Sequence, residues 1–275
     1  MSGNLAVRVV RFKGMGQTTV DDQLAVEAPL EILLHHPALG PEPASFGTTM
    51  RTPGEDEALA AGLLYGEGVI TVASDIDAIE TSTRRPNVVN VRLNSKVQLD
   101  LQAPVRRFSA GSSCGICGTT GLDDAIARTA SLRVDTAQHV DLAVLLRLPR
   151  IMRESQLKFG STGGIHASAL FDISGTLLAV SEDIGRHNAL DKLVGMSLTA
   201  GRLPLTDQII LLSGRVSFEL VQKALRAGAA IIAAIGAPSS LAVNLAQSTG
   251  LTLVGFVRDT QCNVYAHAKR VKNFA

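Results

Sequence analysis

The chain has 275 residues, 46% of them hydrophobic and 19% charged where about 25% is usual, so it buries a sizeable core and is not a disordered protein. Lys and Arg number 26 against 25 Asp and Glu, a net charge of +1, which excludes a protein whose affinity comes from neutralising many phosphates of a nucleic acid. Three cysteines, two of them in one CxxC, exclude a disulfide framework and point to thiol chemistry or metal binding in the cytoplasm.

From Leu5 to Gln102 the pattern is mostly period two. Leu5-Val7-Val9 alternate with Ala6-Arg8-Val10, and Val97-Leu99-Leu101 with Gln98-Asp100-Gln102, predicting half-buried antiparallel strands. One helix interrupts them at Thr52-Pro53-Gly54-Glu55, with Thr52 as cap, Pro53 at the first helical position and Glu55 as the capping-box partner. Pro37, Pro41 and Pro43 mark a loop before it, and Arg84 to Asn87 a turn after it. The stretch 104–123 holds four glycines around two cysteines without apolar periodicity, predicting a mobile, exposed loop. Helical spacing returns from Val140 to Phe159, with Pro149 ending or kinking a first segment and a second leading to Gly160.

Beyond that, His166 to Phe171 and Thr176 to Val180 flank an Asp172 to Gly175 turn and predict a β-hairpin. Helices over Arg186 to Met196, Ser217 to Arg226 and Ser239 to Gln247 then alternate with strands over Gln208 to Leu212, Ala230 to Ile235 and Leu251 to Phe256. Such uniform apolar runs predict a parallel sheet covered on both faces. The longest apolar stretch, Ala227 to Pro238, is far short of the roughly 20 residues that span a bilayer and reads as a core strand. The N-terminal sequence lacks the pattern of a secretory signal, so no membrane association is expected. The division expected is an N-terminal β-rich domain (1–105), a CxxC loop with linking helix (106–160) and a C-terminal α/β domain (161–275).

Cys114-Gly115-Ile116-Cys117 is the sharpest chemical signal. Two thiols at this spacing can exchange a disulfide, or carry a persulfide on one while the other resolves it. Four readings fit the loop: a zinc site completed by Cys262 and His166, His187 or His267; a thioredoxin-like redox pair; an inert pair; or an arm that carries a reactive sulfur. Thr162 to Ser168 is similar to the entry of a deaminase zinc site, but Ser168 replaces the glutamate that shuttles protons and the CxxC lies upstream, so no metal is expected. Ser181 to Lys192 packs eight polar or charged side chains around one strand-to-helix turn. Ser213-Gly214-Arg215 and Ala237 to Ser240 follow apolar strands, precede helices and offer backbone N–H groups to an anion; N-capping by serine explains each equally well. Gly255 to Gln261 leaves the last strand with Arg258 able to pair a phosphate and Asp259 able to accept from a guanine edge, or the two able to pair with each other.

The segments SSCGICG (112–118), STGGIHASALFD (161–172), SEDIGRHNALDK (181–192), SGRVSFELVQKA (213–224) and GAPSSLAVNLA (236–246), in this order, closely resemble the formate dehydrogenase accessory sulfurtransferase family. The resemblance implies a homodimeric sulfurtransferase with a cytidine-deaminase-like α/β layer sandwich after a smaller N-terminal β-rich domain. It would take sulfur from a cysteine desulfurase and pass it to the molybdenum (or tungsten) bis(molybdopterin guanine dinucleotide) cofactor of formate dehydrogenase. It places the persulfide on Cys114, gives Cys117 as the second cysteine, and puts cofactor contacts on Phe256, Val257, Arg258, Asp259, Thr260 and Gln261, with Asp259-Thr260 standing in place of a proline-glycine pair. Together with the helix N-termini at Gly214-Arg215 and Pro238-Ser239, this predicts that guanosine diphosphate, a fragment of that cofactor, binds at the strand ends and that Arg215 or Arg258 holds its phosphates. A cofactor-binding chaperone without sulfur chemistry and a CxxC redox protein are the competing readings.

Overall fold

A computed structural model describes residues 3–82, 84–99, 132–134 and 137–273. The chain opens on a two-stranded antiparallel hairpin, β1 (Asn4–Lys13) and β2 (Gly16–Ala25). A four-stranded sheet follows, built from β3 (Ala28–His35), β4 (Ala44–Arg51), β5 (Ile76–Thr81) and β6 (Val88–Leu93) in the order β4-β3-β6-β5. Helix α1 (Asp56–Glu67) lies between β4 and β5. Here β3 and β6 run parallel, against the expectation of antiparallel strands only, because α1 and β5 supply the chain length a crossover needs. The Val97 alternation forms no strand over 97–99: β6 stops at a turn in which Val97 N donates to Asn94 O, and Asn94 Oδ1 accepts from Lys96 N.

The helix also starts later than its sequence signature. Glu55 stands before it at φ 57°, with no side-chain cap, and Thr52 makes long-range bonds instead. Its backbone N donates to Asp183 Oδ2 (3.1 Å), its Oγ1 accepts from Ile184 N (3.1 Å) and its carbonyl accepts from Lys192 Nζ (2.9 Å). Tertiary partners outcompete the local cap.

The C-terminal sheet contains β8 (His166–Asp172), β9 (Leu177–Asp183), β10 (Gln208–Leu212), β11 (Ile231–Ala234), β12 (Thr252–Gly255) and β13 (Asn263–Ala266), in the order β13-β12-β11-β10-β8-β9. The three strands expected to be parallel, β10, β11 and β12, are parallel. The predicted hairpin β8-β9 attaches to β10 in the reverse sense. Strand β13 returns beside β12 after seven residues, too few for a crossover, and so is antiparallel. The short strands β7 (Val140–Asp141) and β14 (Val271–Lys272) pair parallel elsewhere.

Helix α2 (Leu142–Ser155) runs through Pro149, and the break falls at Gln156 before α3 (Leu157–Thr162). Leu145, Leu148 and Met152, all fully buried, pin α2 to the sheet on both sides of the proline. The other sheet face takes α4 (Arg186–Thr199), α5 (Phe218–Arg226), α6 (Ser240–Thr249) and also α1. Strand residues alternate accordingly: Ile210, Leu212, Ile232 and Leu253 face these four helices, while Ile209, Leu211, Ile231 and Val254 face α2. The first of these cores is continuous from Leu30, Ile32 and Val89 of the N-terminal sheet through α1 into the C-terminal sheet.

Candidate functional site

The carboxyl ends of β10, β11 and β12 are tied into one ledge. Gly236 N donates to Gly214 O (3.2 Å), Val216 N to Ala237 O (3.0 Å), Ser239 N to Val216 O (2.9 Å) and Phe256 N to Gly236 O (3.2 Å). A Cβ at Gly236 would lie 2.5 Å from Gly214 O, so only glycine lets these two turns touch. Ser239 Oγ caps α6 by accepting from Ala242 N, whereas Ser213 Oγ accepts from Ala167 N and ties the ledge to β8.

The predicted contact segment 256–261 forms the outer end of this ledge. Phe256, at φ 53°, is 39% exposed, and Asp259, Thr260 and Gln261 are exposed beside it. The Val257 side chain is fully buried, and its main chain is already engaged with Ala234 O and the Arg258 guanidinium. Arg258 Nη1 donates to both Ile235 O and Val257 O at 2.8 Å, so part of this cation braces the ledge. Arg215 is exposed at the other end. Cys262 is half-buried and burial pushes its thiol up, away from the reactive thiolate. Cys114 and Cys117 lie outside the described residues.

With the fold and ledge defined, the chain can be set against known proteins. The sequence model of the FdhD/NarQ family matches residues 25–272. The chain belongs to the FdhD/NarQ family. Among its relatives, a protein of Streptomyces avermitilis is 45% identical over 96% of this chain and 94% of its own length, and one of Mycobacterium tuberculosis is 41% identical over 97% and 98%. One of Thermoplasma acidophilum is 39% identical over 98% and 94%. All three are named sulfur carrier protein FdhD. A solved structure from Desulfotalea psychrophila, described as a formate dehydrogenase accessory protein, superposes with a TM-score of 0.76 at 24% identity over 98% of this chain and all of that one, and so shares the mixed α/β fold.

In this FdhD/NarQ chain the polar turn at 181–192 proves to be largely internal bracing. Glu182 accepts from Lys158 N and Phe159 N and so caps α3. Asp183 and Lys192, both without exposure, form an ion pair at 2.8 Å; Asp183 also accepts from Thr52 N, Gly185 N and Asn188 Nδ2. Asp191 pairs with Lys223 at 2.7 Å, and this carboxylate keeps the buried ammonium charged by raising its pKa. Burial of such charges is tolerable only with this full complement of partners. Two groups of this turn, His187 and Arg186, face the ledge instead, together with His166 of β8. His187 Nε2 stands 3.1 Å from Ser217 Oγ and 3.4 Å from Glu219 Oε2; both oxygens approach the same nitrogen, which is not the arrangement of a nucleophile, base and orienting acid. Arg186 and His166 meet at Gly214. The sequence marks the polar density of this turn but not which side chains point inward, because that depends on β8 and β9 pairing. Among the described residues, no helix is long and apolar enough to cross a membrane, and no three His, Cys, Asp or Glu side chains gather as a metal site.

Proposed function

We propose that this protein is a sulfur carrier in formate dehydrogenase maturation, loaded by a cysteine desulfurase on Cys114 and discharging to the molybdenum bis(molybdopterin guanine dinucleotide) cofactor. The observation that carries the reading is full-length similarity, at 39–45% identity, to proteins named sulfur carriers, with the CxxC inside the matched region. In the loading step the Cys114 thiolate attacks the outer sulfur of the desulfurase persulfide; that S–S bond breaks, a new one forms on Cys114 and the desulfurase leaves as a thiolate. In the discharging step the Cys117 thiolate attacks Cys114 Sγ, closing a disulfide and releasing the outer sulfur as hydrosulfide. The two cysteines supply both electrons, and a dithiol reductant reopens the disulfide.

The ledge suits the acceptor, which is substrate here and not a resident cofactor. Exposed Phe256, Asp259, Thr260 and Gln261 offer an aromatic face and polar groups to a guanine, and Arg215 offers a cation to the diphosphate, so guanosine diphosphate is the natural fragment ligand. Val257 and Arg258 shape the site through buried packing and the brace on Ile235 O. The working form is a cytoplasmic homodimer that meets the desulfurase and the dehydrogenase in turn. Incubation with a cysteine desulfurase and cysteine, followed by mass spectrometry, tests the first step. One extra sulfur on the peptide holding Cys114, lost in Cys114→Ala, is the expected result. Absence of loading, with nucleotide binding intact, would favour a chaperone that only shelters the cofactor.

A further inference from the structure

We infer that the outer edge of β1 is a docking site for an extended, acidic strand of a partner protein. The inference is independent of the sulfur-carrier reading. It concerns the hairpin that precedes residue 25, where the match to the FdhD/NarQ family begins.

Half of the large apolar side chains exposed among the described residues lie on this hairpin: Leu5, Val10, Phe12, Met15 and Leu24. Every residue from Val10 to Thr19 is exposed. The root is tied down, with Asn4 Nδ2 donating to Ser161 Oγ (2.7 Å) and β2 packed on α3. A lone two-stranded hairpin is marginal in water, and a third strand is what stabilises it. Among the described residues β1 pairs with β2 alone, so its other edge is open. That edge is ten residues long, pairs with β2 in unbroken register and holds no proline. Edge strands that are not meant to pair are normally short, bulged or interrupted by proline.

Charge selects the occupant. Strand β1 carries Arg8, Arg11 and Lys13 and no acid, while both acids of the hairpin, Asp21 and Asp22, are on β2. Arg8 reaches Asp21 at 3.5 Å in an exposed pair, whereas Arg11 and Lys13 have no hydrogen bond or ion pair among the described residues. A second copy pairing β1 with β1 would bring three cations beside three, and like charges across a sheet repel. Self-pairing is thereby opposed and an acidic strand favoured. Arg11 and Lys13 share a face with Leu5, Val7 and Val9, while Val10 and Phe12 share the other with Arg8. The strand that fits has two carboxylates at alternate positions near the hairpin tip, and apolar or β-branched side chains towards the root and beside Val10 and Phe12. Ladder hydrogen bonds supply its affinity and these side chains its selectivity.

Two short peptides of alternating threonine and valine, one beginning and one ending in Glu-Val-Glu, test this, since an added strand can run in either sense. Amide hydrogen exchange of the full chain is followed by NMR. One of the peptides should slow exchange at alternate amides of β1, those facing away from β2, and its counterpart with Lys-Val-Lys should not. The exposed double substitution Arg11→Glu with Lys13→Glu should leave the circular dichroism spectrum unchanged. It should weaken the acidic peptide about tenfold or more and take the lysine peptide instead. No protection of β1 at millimolar peptide, protection along β2, or affinity indifferent to the charge reversal would overturn the inference. So would a wild-type dimer that Phe12→Asp dissociates in sedimentation, because a second copy would then be what covers the hairpin.

Discussion

At the scale of single residues, His187 couples stability to pH. Burial brings its imidazole down to about 4, against the pull of Glu219, 3.4 Å away. In the unfolded chain the same group titrates near about 6.5, so between these values the unfolded state binds a proton that the native state refuses. The stability it contributes is complete above about pH 6.5 and drains as pH falls towards about 4, by up to about 3 kcal/mol across that window. His166, lowered by burial and by Arg186 and Arg215, adds in the same direction. Urea denaturation at pH 7 and pH 5 on the wild type and His187→Gln checks this. The variant should lose distinctly less stability on acidification, and parallel losses would mean that His187 does not carry the effect.

At the scale of elements, α1 and α4 cross in backbone contact. A Cβ on Gly62 would stand 1.8 Å from Asp191 O, and one on Gly195 would stand 1.9 Å from Ala58 O. Gly62→Ala should therefore destabilise by about 1–3 kcal/mol or more through overpacking, despite alanine's better helix propensity. Gly160→Ala in α3, where nothing lies within 4 Å, should be neutral or gain up to about 1 kcal/mol. Thermal midpoints of the two variants decide it, and a stable Gly62→Ala would contradict the crossing. The sequence shows that Gly62 is helical but not that it touches another helix. The same limit explains the other differences. From His166 to Phe256, apolar runs and turn residues make the strands and helices legible to within a few residues, since each forms by local pattern and sheet burial together, whereas the short strands β13 and β14 were missed. The direction of β3 against β6 was not legible, because period-two alternation reads alike whether the neighbour is parallel or antiparallel. The start of α1 was missed because Thr52 is satisfied from β9 and α4, far away in sequence. In the site, the segment 256–261 and Arg215 were visible as chemistry, whereas the brace that Arg258 makes on Ile235 O, and the meeting of His166 with Arg186, exist only once the sheet order is set.

At the scale of the whole molecule, one hydrophobic core joins the N-terminal sheet to the helix-covered face of the C-terminal sheet, while hydrogen bonds at Met50 and Thr52 tie the 181–192 turn to the end of β4 and the Asp191–Lys223 ion pair ties it to α5. This rigid frame leaves the strand ends of β10 to β12 as a supported rim. Holding the acceptor on the same protein that carries the sulfur would convert an encounter of three molecules into a transfer within one complex. The claim at the centre of the account is that sulfur passes through Cys114 to the cofactor. It is tested most directly by loading the protein with radiolabelled sulfur from a desulfurase, removing the desulfurase, and adding the cofactor and inactive formate dehydrogenase. The account predicts label on the cofactor together with recovered formate oxidation, and neither with Cys114→Ala. Recovery of the dehydrogenase by Cys114→Ala, or label that never leaves the loaded protein, would contradict it.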